Sequence, residues 1–211
     1  MSDLVSLGAQ YEAQIDAPDG RRVCIGLLTG GKSTRMGQDK ATTSVAGRTM
    51  IERVAAAGAA TGLDVVVLGP DDAGTGLEAV PDGDDVPAGP LGGLLTLLDH
   101  RPDHHVLLVA TDQPFVRPET LLHLALEAGG DIVVPIDQDM PQVTCARYGP
   151  AVIEHRDAWR LRALLDRVEV VRVEPERWRT WGEDGRSFRS LDRPEDIAAA
   201  LDEYGAGDSA N

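Results

Sequence analysis

Between Val23 and Lys40 the chain reads V-C-I-G-L-L-T-G-G-K-S-T-R-M-G-Q-D-K. Gly30 and Gly31 put two residues without a Cβ in succession, so backbone N–H groups there can close on an anion. Lys32, Arg35 and Lys40 follow. These residue types at this spacing suit a ligand carrying several negative charges, and the first reading is a nucleoside triphosphate. A second chemical marker is Asp112, which ends the apolar run H-H-V-L-L-V-A-T-D and is followed by Gln113-Pro114. A helix-capping role competes for that aspartate. Pro81-Asp82-Gly83 reads as turn chemistry.

Several elements must position these residues. Val23 to Leu28 is a short apolar run of the kind buried on both faces of a parallel sheet. Thr49 to Ala60 reads as a helix with Thr49 as its cap and Gly62 as its stop. Asp64–Leu68, Leu77–Val80, His104–Phe115, Asp131–Pro135, Gln142–Tyr148 and Val168–Val173 read as strands. Helices are expected at Gly89–Leu98, from Pro118 to Ala128, over Pro150–His155 and Ala158–Arg167, and from Pro194 onward. Residues 174–187, with Trp178 and Trp181, read as a polar loop or insertion. This alternation predicts a three-layer α/β fold with a mostly parallel, open sheet. In such sheets ligands bind beyond the carboxyl ends of the strands, where Gly30-Gly31 and Asp112 both fall. Residues 1–20 are expected to be an extension or an added hairpin, 21–203 the domain, and 204–211 a disordered tail.

The chain has 211 residues and a formal net charge of −15. That acidity argues against nucleic acid or an anionic membrane surface as the main partner. No apolar run approaches the ~20 residues that span a bilayer, and the first ten residues lack the marks of a signal peptide. A cytoplasmic protein is expected. Cys24 and Cys145 sit in apolar runs and read as buried thiols.

Two motif readings compete for the glycine loop. Gly26 to Ser33 fits G-x-x-x-x-G-K-[ST], the P-loop pattern of NTPases. That requires the strand to finish before Gly26 and a helix to begin near Lys32. The apolar pattern instead runs on to Leu28, and the helix would contain Gly37 and a β-branched cluster. The longer segment, L-L-T-G-G-K-S-T-R-M-G-Q-D-K, resembles the signature L-A-G-G-x-x-x-R-M-G-x-D-K of the molybdenum cofactor guanylyltransferases, the MobA-like NTP transferase family. Pro81-Asp82 ahead of G-P-L-G-G, Thr111 to Phe115, Pro141 to Tyr148 and Phe188 to Ile197 extend the resemblance over most of the chain.

The resemblance implies specific roles. The backbone of Leu28, Thr29, Gly30 and Gly31 would meet the guanine nucleotide. Arg35 and Lys40 would hold the triphosphate and act in catalysis. Asp82 would sit at the nucleotide base and Asp112 would hold Mg2+. The substrates would be GTP and molybdopterin, with no nucleic acid or membrane partner and transient contact with other molybdenum cofactor proteins. Cytidylyltransferases and sugar-phosphate nucleotidyltransferases share the loop and remain alternatives. Thr29 replaces the family's usual alanine, Leu68 stands at a frequent asparagine, and Ser190 and Asp192 replace two asparagines used near the pterin.

Overall fold

A computed structural model describes residues 15–29, 43–83 and 85–205. Its centre is β1 (Arg22–Leu28), buried from Val23 onward. Parallel strands flank it on both sides: β4 (Asp64–Leu68) and β6 (His104–Ala110). Cys24 and Leu28 join one hydrophobic cluster, while Val23, Ile25 and Leu27 join the other. This period-2 split gives the sheet a core on each face, as the unbroken apolar run predicts.

A small hairpin precedes the first helix, with β2 (Ser44–Val45) antiparallel to β3 (Arg48–Thr49). Helix α1 (Met50–Ala59) follows with the expected Thr49 cap. The Thr49 hydroxyl accepts from the Glu52 N–H at 3.3 Å, and the Thr49 N–H donates to the Glu52 carboxylate at 2.7 Å. This reciprocal box satisfies two backbone donors at the helix start. Next come β5 (Glu78–Val80) and α2 (Pro90–His100), then β6 and α3 (Pro118–Leu126). The later strands are β7 (Ile132–Asp137), β8 (Met140–Pro141), β9 (Cys145–Tyr148) and β10 (Val170–Val173). The order across the sheet is β10-β7-β9-β6-β1-β4-β5, with β8 paired to β7. From β1 the chain runs to β4 and β5, then crosses to β6 on the other side. The gap between β1 and β6 is therefore the switch point at which open α/β sheets bind ligands.

The sheet is mixed rather than wholly parallel: β9 runs antiparallel to both β6 and β7. Its Arg147 is 2% exposed and reaches α3, donating to the Ala125 carbonyl at 2.9 Å and the Gly129 carbonyl at 3.0 Å. A guanidinium thus satisfies carbonyls at the negative end of that helix. We expect Arg147→Met to lower unfolding free energy by about 3 kcal/mol, measured by urea titration, because two buried acceptors lose a charged donor.

Two expectations are revised, and one is met. First, residues 174–187 are not a polar loop. They form α5 (Pro175–Trp178) and a 3-10 turn at Arg179–Trp181, preceded in the chain by α4 (Leu161–Leu164). Trp178 and Trp181 are buried in the second core with Phe188. The Trp178 indole N–H donates to the Ile136 carbonyl at 2.8 Å. Amphipathic aromatic rings let a charged stretch supply core volume. Second, the strand expected over His104–Phe115 stops at Ala110, and Thr111 to Val116 forms turns. As expected, Gly26 lies inside β1, paired with Val66 and Leu108. A Cβ there would meet Leu68, Leu97 and Val106 at 3.0 to 3.3 Å. Gly26 therefore serves close packing of α2 on the sheet, and the strand geometry a P-loop requires is not met.

Within the expected N-terminal extension, residues 17–21 form a tight turn, with Asp16 bridged to Arg22. Ala17 is buried, and the Asp19 carboxylate lies 2.9 Å from His105 Nε2. The final helix is α6 (Pro194–Tyr204). Residues 206–211, most of the expected tail, and residues 1–14 lie outside the described residues. Cys24 and Cys145 are free and buried, and burial pushes the Cys24 thiol up to about 12. No helix among the described residues is long and apolar enough to cross a membrane.

Candidate functional site

Four parallel strands end along one rim of the sheet, and short polar contacts lock those ends together. Thr29, just past β1, donates from its hydroxyl to the Leu68 carbonyl at 2.9 Å. Thr111, just past β6, donates from its N–H and its hydroxyl to the Leu28 carbonyl at 3.2 and 3.0 Å. The Gly69 N–H reaches the Val80 carbonyl at 3.1 Å. A Cβ on Gly69 would lie 2.3 Å from the Thr29 hydroxyl oxygen. The Thr29 substitution in the glycine motif is therefore matched by a glycine across the rim.

Asp112 is half-buried at the switch point. Its backbone carbonyl accepts from the Leu191 N–H at 2.8 Å, and its carboxylate accepts from the Ser190 hydroxyl at 3.4 Å. These contacts join two motifs 78 residues apart. The capping alternative for Asp112 fails, because α3 begins at Pro118 with Arg117 at its N-cap. Asp82 is exposed beyond β5. Three strand spacings separate the β6 and β5 ends, which puts them about 14 Å apart. Asp82 and Asp112 thus bracket a stretch long enough for a nucleotide laid along the rim.

G-P-L-G-G is explained by this rim. Gly89 takes φ +88° at the N-cap of α2, and Pro90 occupies the first turn. A Cβ on Gly92 would fall 1.9 Å from the Pro87 carbonyl oxygen, and one on Gly93 would come within 3.6 Å of the Asp82 carboxylate. The small residues let Asp82 and Pro87 lie against the helix start. We expect Gly92→Ala to cost about 3 kcal/mol of stability through overpacking. It should also raise the KM for nucleotide, since the Asp82 loop must move; thermal unfolding and a substrate titration check both effects.

Beyond Ser190 the rim opens into a groove of about 580 Å³, between the β7–β8 hairpin and α6. Gln138 and Asp139 at the hairpin tip have φ +49° and +60°, the geometry of a tight two-residue turn. The opposite wall is the 182–190 loop, organised by Glu183, which is 3% exposed. Its carboxylate accepts from the hydroxyls of Thr120 and Ser187 and from the N–H groups of Asp184 (3.0 Å), Gly185 (2.8 Å) and Ser187 (3.3 Å). A buried carboxylate so surrounded fixes the wall to the start of α3. On the groove surface Asp184 pairs with Arg186 at 2.7 Å, and that hydrogen bond holds the Asp184 carboxyl below its usual range. Arg189 pairs with Glu203. Burial, and then the charge of Glu183, push the Asp137 carboxyl upward.

The structure thus brings Leu28, Thr29 and Asp112 together at the switch point, with Asp82 farther along the same rim. Gly30, Gly31, Arg35, Asp39 and Lys40 lie outside the described residues. Glu183 and the groove were not apparent from the sequence. Glu183 fell within the stretch 174–187 that read as a polar loop or insertion, and the groove is made by segments distant in the chain.

Comparison with known proteins agrees with this geometry. The family model described as the MobA-like NTP transferase domain matches residues 25–173. A molybdenum cofactor guanylyltransferase from Rhizobium meliloti is 34% identical over 170 residues, covering 70% of this chain and 76% of the relative. The structure of molybdopterin-guanine dinucleotide biosynthesis protein A from Archaeoglobus fulgidus superposes with a TM-score of 0.73 at 24% identity, covering 85% of this chain and 97% of that one. The 2-C-methyl-D-erythritol 4-phosphate cytidylyltransferase of Thermus thermophilus gives a TM-score of 0.59 at 20% identity, covering 84% and 96%. These two structural likenesses establish the shared fold.

Proposed function

The chain belongs to the MobA-like NTP transferase family, and we propose that it transfers GMP from GTP to the terminal phosphate of molybdopterin. A phosphate oxygen of the acceptor forms a bond to the α-phosphorus of GTP, the bond to the β-phosphate oxygen breaks, and pyrophosphate leaves. The observation that carries this reading is the contact between Asp112 and Ser190 at the β1–β6 switch point. It joins the nucleotide rim to the C-terminal motif and to an adjoining groove that can receive a second substrate.

In this reading the Gly30-Gly31 backbone, Arg35 and Lys40 hold the triphosphate, with Leu28 and Thr29 setting the rim and Asp82 near the base. The acceptor phosphate is already anionic at neutral pH, so the reaction needs no strong general base. Positioning and charge stabilisation by Arg35 and Lys40 do most of the work. The donor set around Asp112 suits Mg2+. A carboxylate beside a hydroxyl offers hard oxygen ligands, and Mg2+ is commonly held by one or two carboxylates plus substrate phosphates. When bound, the ion supplies charge compensation for the phosphate oxygens.

The test is a panel of GTP, CTP, ATP and UTP with molybdopterin, following pyrophosphate. Release with GTP, dependent on the acceptor, supports the reading. Preference for CTP moves the chain to the cytidylyl branch, and orthophosphate as product overturns nucleotidyl transfer.

A further inference from the structure

The groove past Ser190 has an unusual charge pattern. Two of its carboxylates, Asp184 and Glu203, are neutralised by Arg186 and Arg189. Asp137 differs. It ends β7 and takes a backbone hydrogen bond from Gln138; the charge of Arg179 acts on it from a distance, but among the described residues no cation comes within ion-pair contact of it. Across from it stands Gly185, at φ +98°, where an added Cβ would come within 3.8 Å of Asp137 Oδ1. The glycine keeps open the space in front of the carboxylate. Tyr204 contributes a planar ring to the same groove, with the Arg186 and Arg189 guanidinium carbons 5.0 and 5.4 Å from its centroid.

A half-buried carboxylate facing open space in a groove is satisfied best by adjacent N–H donors, two of which can bind its two oxygens. A neutral ring with a 2-amino-4-oxopyrimidine edge presents such a pair, at its 2-amino group and N3. We propose that Asp137 is a specificity residue that reads this edge on the pterin end of the acceptor, so that the acceptor lies in the groove with its phosphate toward Ser190 and Asp112. The raised affinity of Asp137 for its proton agrees with its shielding from water.

This inference rests on the proposed acceptor, and its test separates the two. Pterin and lumazine differ in that lumazine carries a carbonyl where pterin has the 2-amino donor. Both are titrated against the full chain by fluorescence. The wild type is expected to bind pterin about tenfold more tightly than lumazine, the loss expected when a donor is missing opposite a half-buried charged acceptor. Asp137→Asn should remove that preference while GTP affinity stays within about twofold. Asp137→Ser, with its unfolding midpoint checked, serves as a second variant should the asparagine chain fold poorly. Equal binding of the two pteridines by the wild type overturns the assignment, as does pterin affinity left within about twofold by a folded variant. Failure of the wild type to release pyrophosphate with GTP and molybdopterin overturns the functional reading instead, and that assay is scored separately.

Discussion

Asp112→Asn is expected to lower the rate of pyrophosphate release about 100-fold at saturating GTP, the scale on which loss of one charge-stabilising group acts. Asparagine preserves the size of the side chain and leaves the backbone carbonyl free to accept from the Leu191 N–H. The link between the β6 end and the C-terminal motif should therefore survive, and the thermal midpoint should move little. What changes is the charge available to a hard cation at the switch point. The Mg2+ concentration for half-maximal rate should rise together with the loss in turnover. A wild-type rate with unchanged Mg2+ dependence would remove Asp112 from the site. A large drop in thermal midpoint would show instead that the carboxylate holds the rim together.

Lys40→Ala should also lower turnover about 100-fold, the scale for removing one charged group aimed at the transition state. The reason is electrostatic. Charge moves onto the leaving pyrophosphate as the α–β bond breaks, and an ammonium near that oxygen stabilises the transition state more than bound GTP. The loss should fall mainly on kcat, with a smaller rise in the KM for GTP. Lys40→Arg keeps the charge and should recover part of the rate. An effect confined to KM would make Lys40 a ground-state anchor.

The sequence by itself determined the order and type of most elements. Central β1 was legible because both its faces are buried, so its apolar run has no polar gaps, and it ends at Leu28 as the pattern implied. The Thr49 cap was legible because a capping box is local chemistry, requiring only a hydroxyl and a glutamate three residues on. The family was legible for the same reason: the residues of its glycine motif are consecutive.

Tertiary structure alone decided the rest. The antiparallel course of β9 depends on which neighbours it pairs with, and an apolar strand looks the same in either direction. Trp178 and Trp181 were hidden by charged neighbours, and only the packing of α5 against β7 shows that they belong to the core. The same holds for the second half of the site. Asp112 and Ser190 meet because the chain returns to the switch point after building three more strands of the main sheet. Asp137, Gly185 and Tyr204 share a groove only because a strand end, a loop and the last helix converge there. Contacts between chain neighbours leave a mark in residue spacing. Contacts closed over tens of residues depend on how the whole sheet is ordered, and no local pattern carries that information.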